Sequence, residues 1–103
     1  MAAIIVGTTP TIKYTFTNID TTDLTEIFMT IAKTPCGTPV LEKDLSDAEV
    51  GDGEVMFQLT QEETLSLPGG CYIQLNYKLT DGTRGATDPE YVGVECNQKA
   101  VVI

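Results

Sequence analysis

Residues 54–84 read EVMFQLTQEETLSLPGGCYIQLNYKLTDGTR, and the fold turns on this stretch. Val55, Phe57 and Leu59 alternate with Glu54, Met56, Gln58 and Thr60, the period of two that marks a strand with one face in a core. Thr60-Gln61-Glu62-Glu63 follows with the form of a capping box: the Thr60 hydroxyl can accept from the Glu63 amide, and the Glu63 carboxylate from the Thr60 amide. Two glutamates at that point also suit the positive start of a helix. Pro68-Gly69-Gly70 ends the helical turn, placed near residues 61–66, within about two turns. Leu65 and Leu67 are expected to plug the end of a core. Cys71, Ile73, Leu75, Tyr77 and Leu79 then alternate with Tyr72, Gln74, Asn76 and Lys78, the cleanest strand in the chain. Asp81-Gly82 closes it with the signature of a type I′ hairpin.

The flanks continue the pattern. Ile4, Ile5 and Val6 form a short apolar run closed by Gly7, read as a buried or edge first strand. From Thr11 to Thr17, Ile12, Tyr14 and Phe16 share one face. Residues 18–23 are a polar connection rich in turn formers. Residues 24–33 carry apolar bulk on both faces, Ile27, Met29 and Ile31 on one and Phe28, Thr30 and Ala32 on the other. That predicts a central strand, or one with a covered outer face. β-Branched residues dominate and no 3.6-residue stripe emerges, so a helix is rejected. After a proline-bounded turn, residues 40–45 put Leu41, Lys43 and Leu45 on one side. A lysine in that row suits an edge strand guarded against pairing with other chains. Residues 46–53, SDAEVGDG, read as an acidic loop, and residues 84–89 as loose and polar. Residues 90–96 form the last clear strand, with Val92, Val94 and Cys96 in phase. Seven to eight short strands separated by turn signals predict an all-β antiparallel β-sandwich.

The chain has 103 residues, enough for one domain over residues 1–103, and 42% of them are hydrophobic. A chain of this size buries roughly 60–65% of its unfolded surface, so a core can form without covalent staples. Fifteen acidic against six basic residues give a net charge of −9. Five scattered lysines and Arg84 make no phosphate-binding face, which argues against nucleic acid as a partner, and an anionic membrane surface would repel the chain. The charge serves solubility. No run approaches the length of a membrane span. The start, MAAIIVG, is too short for a secretory signal and lacks a basic lead. Cys36, Cys71 and Cys96 are an odd set without close pairing, which points to a reducing compartment. Cys71 and Cys96 are expected to pack as small hydrophobes, with a bridge between them left open.

Chemistry is sparse. Without a histidine, the commonest general base and zinc ligand are missing. The glycines at 51, 53, 69 and 70 lack a following lysine in phosphate-loop spacing. No catalytic residue, cofactor, metal site or small-molecule substrate is therefore assigned, and the chain is read as not an enzyme. Asp47, Glu49, Asp52 and Glu54 could offer oxygen ligands to calcium, against the simpler reading of a solvated turn. Tyr72 and Tyr91 could be exposed and make a thin platform for a sugar, against the simpler reading of core or interface packing.

The order of motifs resembles small immunoglobulin-like structural proteins of phages and prophages of Firmicutes. It is similar in grammar to the N-terminal domain of phage baseplate upper proteins. The residues that carry the likeness are Leu59-Thr60, Glu62-Glu63-Thr64, Leu67, Gly70, Tyr72 and Asp81-Gly82. The run Gly7-Thr8-Thr9-Pro10-Thr11 with Tyr14 and Phe16 joins them, as does Asp44-Leu45-Ser46. The resemblance implies an immunoglobulin-like sandwich and a non-catalytic virion or assembly component of tail, baseplate or head. It implies a protein made in the host bacterial cytoplasm, then carried in the virion, whose partners are other virion proteins or itself in a homo-oligomer. Tyr72 departs from the tyrosine-corner phase of such domains, because it alternates with Ile73 rather than sharing its face. The expected interface is the apolar start, Ile4, Ile5 and Val6, with the apolar end, Ala100, Val101, Val102 and Ile103. That end either returns to the sheet or docks on another subunit. A module that binds carbohydrate or peptide through loops at one end is the alternative.

Overall fold

The computed structural model describes residues 3–103. Nine strands follow the chain: β1 (Ile4–Ile5), β2 (Thr11–Thr15), β3 (Leu24–Ala32), β4 (Pro39–Asp44), β5 (Ala48–Gly51), β6 (Glu54–Gln58), β7 (Gly70–Leu79), β8 (Arg84–Ala86) and β9 (Glu90–Glu95). One α-helical turn, α1 (Gln61–Leu65), links β6 to β7. A six-stranded sheet runs β1-β9-β7-β3-β4, with β8 hydrogen-bonded to β7 outside that row. A three-stranded sheet runs β2-β6-β5. The row β9-β7-β3-β4 and the row β2-β6-β5 enclose one core between them, as in a β-sandwich. The all-β sandwich expected from the alternation is the fold.

The quoted stretch spans both sheets, which is why it decides the architecture. Val55, Phe57 and Leu59 leave one sheet and Cys71, Ile73 and Leu75 enter the other, all of them buried. They meet Ile12 of β2, Ile27, Met29 and Ile31 of β3 and Val92 of β9 in one core. Burying each such side chain fully is worth roughly 1.5–3 kcal/mol, so this cluster dominates the favourable side of folding. β3 is central, between β7 and β4, and pairs with β7 along its whole length. Its helix-like sequence LTEIFMTIA is a strand because both neighbours satisfy its backbone. The capping box forms as read: the Glu63 amide donates to Thr60 Oγ1 at 3.2 Å and the Thr60 amide to Glu63 Oε1 at 2.8 Å.

Several local expectations differ. β1 runs parallel to β9, so the fold is not wholly antiparallel, and nine strands replace seven to eight. The additional strands are short pieces that turn residues concealed. Residues 48–51 of the acidic loop pair with β6 as β5, and residues 84–86 of the loose segment pair with β7 as β8. The Asp81-Gly82 turn is not type I′. Gly82 has φ +89°, but Asn18 is the only non-glycine with positive φ among the described residues. The Gly82 amide donates to the Leu79 carbonyl and the Leu79 amide to the Thr83 carbonyl, the pattern of a type I turn closed by a glycine bulge. Asp81 selects it by accepting from the Thr83 amide at 2.8 Å. Cys96 lies just past β9 and is exposed rather than packed. Cys36, Cys71 and Cys96 are all free, so no Cys71–Cys96 bridge forms.

Lys43 is the informative exception in β4. It does occupy an edge strand, but it points inward and is 9% exposed. Its ammonium meets Glu63 Oε1 at 2.9 Å, tying the sheet edge to α1. An inward charge on an edge strand disfavours pairing with another sheet, because such pairing would strand the charge.

Gly85 of β8 shows how close the outer layers pack. A β-carbon there would clash with Cζ and the hydroxyl oxygen of Tyr77, and that ring is held edge-on to Phe16 with centroids 5.3 Å apart. Gly85→Ala is expected to cost about 1–3 kcal/mol through forced displacement of Tyr77. A thermal melt beside Gly69→Ala checks this, since nothing lies within 4 Å of a β-carbon at Gly69.

Candidate interaction surface

The two apolar segments singled out in the sequence converge on the α1 end of the sandwich. Ile4 pairs with Val94 and is 3% exposed, so it belongs to the core rather than to an outer surface. Ile5, its neighbour across the pleat, is 43% exposed. Val6 is half-buried; its amide donates to the Glu95 carbonyl at 3.1 Å and its carbonyl accepts from Asn97 Nδ2 at 3.0 Å. The chain then turns at Gly7, where φ is +81° and the backbone passes between Leu65, Asn97 and Lys99. A β-carbon would find ordinary contacts there, so it is the positive φ that favours glycine.

Thr64 fastens this turn. It is buried, its Oγ1 accepts from the Gly7 amide at 2.9 Å, and it lies 2.8 Å from the Thr8 carbonyl to which it donates. The resemblance cited Thr64 only as part of a motif. Its position on the inward side of a one-turn helix, between Thr60 and Leu67, was the available signal for an anchor. Leu67 plugs the core end as expected, while Leu65 is half-buried against Gly7.

The tail does not return to a sheet. Val101, Val102 and Ile103 are 51%, 51% and 85% exposed, and Ala100 is exposed as well. A side-chain amide holds the last residue: Ile103 N donates to Gln61 Oε1 at 2.7 Å, and Gln61 Nε2 donates to Ile103 O at 2.9 Å. Val102 lines a shallow depression with Thr9 and residues 58–62. Gln61 was legible only as part of the capping box. Its clamp on a backbone 42 residues away left no mark in local pattern.

The other candidates are dispersed. Glu49 lies in β5 opposite Met56, and Glu54 is engaged by Lys13 at 2.8 Å. Among the described residues no group of three or more His, Cys, Asp or Glu side chains is placed to hold a metal ion. Tyr72 and Tyr91 face each other across β7 and β9, edge to face with centroids 5.5 Å apart. Tyr91 is 57% exposed and its ring lies over Gly70, where a β-carbon would be 2.6 Å from the hydroxyl. Farther along the same sheet a depression of about 380 Å³ is lined by Phe28, Asn76, Lys78 and Arg84.

Electrostatics concentrate at α1 and the turns. Burial alone would push the Glu63 carboxyl up, but the Thr60 backbone bond and Lys43 outweigh it and hold the group below its ordinary value. Asp20 and Asp81 are lowered by backbone amides and Asp44 by the Ser46 hydroxyl, all as turn caps. Burial and the nearby Glu90 charge raise Tyr14 to about 12. Among the described residues no helix is long and apolar enough to cross a membrane.

No protein-family model, curated protein or solved structure matches this chain.

Proposed function

We propose that this protein is a non-catalytic assembly component that works through protein–protein contacts. A place in a phage or prophage particle, in tail, baseplate or head, is the setting that the motif resemblance favours. The observation that carries the reading is the exposed apolar tail, Val101, Val102 and Ile103, with Ile5 of the β1 edge exposed as well. Three successive exposed aliphatic residues on a chain otherwise rich in acids suit a contact surface. The sequence has no histidine, so the commonest general base is missing.

Removal of residues 100–103 is expected to lower the assembly state while leaving the melting temperature nearly unchanged, because these residues lie outside every strand. Light scattering over a wide concentration range, with a thermal melt of the same sample, measures both. An unchanged mass distribution would remove the tail from the interface.

A second reading, a carbohydrate- or peptide-binding module, is favoured by the exposed Tyr91 ring paired with Tyr72. Glycan-array binding that is lost on Tyr91→Ala would raise it above the first.

A further inference from the structure

β2 is an unfinished edge. It pairs with β6 on one side, and among the described residues no strand pairs with it on the other. Its sheet has three strands against six in the sheet it faces. Along this bare edge the two sheets stand open. Two adjoining clefts of about 310 and 210 Å³ share Tyr14, Thr15 and Thr87 and reach inward to Ile73 and Leu75. Tyr14, Phe16 and Tyr77 lie on core-facing positions yet are only half-buried, so the alternation of β2 describes a covered face that its own chain leaves uncovered.

The second observation lies in the tail. Ala100, Val101, Val102 and Ile103 are apolar, mostly β-branched and suited to a strand, but they pair with none. Lys99 precedes them, and Asp88 and Glu90 line the cleft. The five residues 99–103 match the five of β2. In its own chain the tail is occupied elsewhere: Asn97 bonds Val6, Ile103 bonds Gln61, and Val102 rests beside Thr9.

We propose that the tail of one copy adds as a strand to the bare β2 edge of a second copy, with alternate side chains entering the cleft between the sheets. This deepens the assembly reading and rests on it. Strand addition of this kind takes affinity from main-chain hydrogen bonds and specificity from pockets for alternate side chains. Lys99 then comes to the Asp88 side of a rim that also carries Lys13 and Glu90. The contact is heterologous, tail to edge, so each copy both gives and receives, and the products are closed rings or open filaments. The Gln61 amide reads only the backbone of Ile103, so the clamp competes with assembly, and Gln61→Ala strengthens association.

The test combines mass with site mapping. The full chain and the Val101→Asp variant are compared by light scattering, and ¹⁵N-labelled Val101→Asp protein is titrated with a synthetic peptide of residues 97–103. Val101 lies outside the strands and is half-exposed, so the variant keeps its fold. Expected results are oligomers of the full chain and association at least about tenfold weaker in the variant, since a carboxylate is costly to bury against Ile73 and is repelled by Asp88 and Glu90. Peptide-induced amide shifts should centre on Thr11–Thr15 and Tyr77. Oligomers that survive Val101→Asp, or peptide shifts confined to α1 or the Tyr91 face, overturn the strand addition and leave the assembly reading standing. A full chain that stays monomeric at millimolar concentration overturns strand addition between copies, whatever the peptide does, and leaves the assembly reading to contacts with other proteins.

Discussion

Replacing Glu63 by alanine is expected to destabilise the fold by about 2–4 kcal/mol, a large effect for one polar side chain. The residue does two jobs at once. It completes the capping box on Thr60, worth about 1 kcal/mol. It also pairs with Lys43, whose side chain is 10% exposed and would be left charged without an acidic partner. Breaking a buried pair from one side costs about 3–5 kcal/mol, and the partial exposure of Glu63 reduces that here. Substituting both partners, as Lys43→Met with Glu63→Gln, is expected to recover most of the loss, because no charge then remains buried. The same pair sets an acid limit. The folded carboxyl titrates below its ordinary 4.5, so its stabilisation is complete above that pH and is lost as pH falls through the lower folded value. Urea midpoints between pH 3 and 7 measure this, and a profile of Glu63→Gln as steep as that of the parent would show that the acid sensitivity lies elsewhere.

Phe57→Ala is expected to cost about 3–5 kcal/mol, the largest single loss from the core. Phe57 is fully buried on β6, opposite Ile12 of β2 and Ala48 of β5, at the middle of the smaller sheet. With two strand neighbours, the site has little freedom to collapse into the space left behind. A domain of this size has a total stability of about 5–15 kcal/mol, so the variant would be marginal. Gln58→Ala, one position along and exposed, is expected to stay within about 0.5 kcal/mol. Equal losses at the two positions would mean that β6 does not present alternate faces. Chemical denaturation with an unchanged slope is the appropriate measurement.

The contrast between Phe57 and Gln58 is the kind of information that local pattern carries. The alternation from Val55 to Leu59 and from Cys71 to Leu75, and the Thr60–Glu63 box, depend on nearest neighbours and were legible in full. Short strands were not. β5 carries Glu49 and a glycine, β8 is Arg-Gly-Ala, and both form only because a longer neighbour offers hydrogen bonds. The parallel β1–β9 pair joins residues some ninety positions apart, and no local period encodes it. Lys43 was assigned correctly to an edge, but its inward direction depends on Glu63 across the sandwich. The candidate surface was half legible: the apolar composition of residues 4–6 and 100–103 marked both segments, while the burial of Ile4 and the clamp by Gln61 arise from tertiary contacts.

The three free thiols amount to a built-in clock. Cys36 and Cys96 are exposed, whereas Cys71 is buried between the sheets, its Sγ 3.7 Å from the Val92 carbonyl, and burial raises its pKa. A thiol reagent added to the native protein should consume two equivalents in a burst and the third only as fast as the sandwich opens. The delay of that third equivalent reads the free energy of opening under native conditions, with no denaturant and no engineered probe. It also separates partial from complete opening. Loss of the tail or fraying of β2 would leave the Cys71 rate untouched, whereas parting of β7 from β9 would release it.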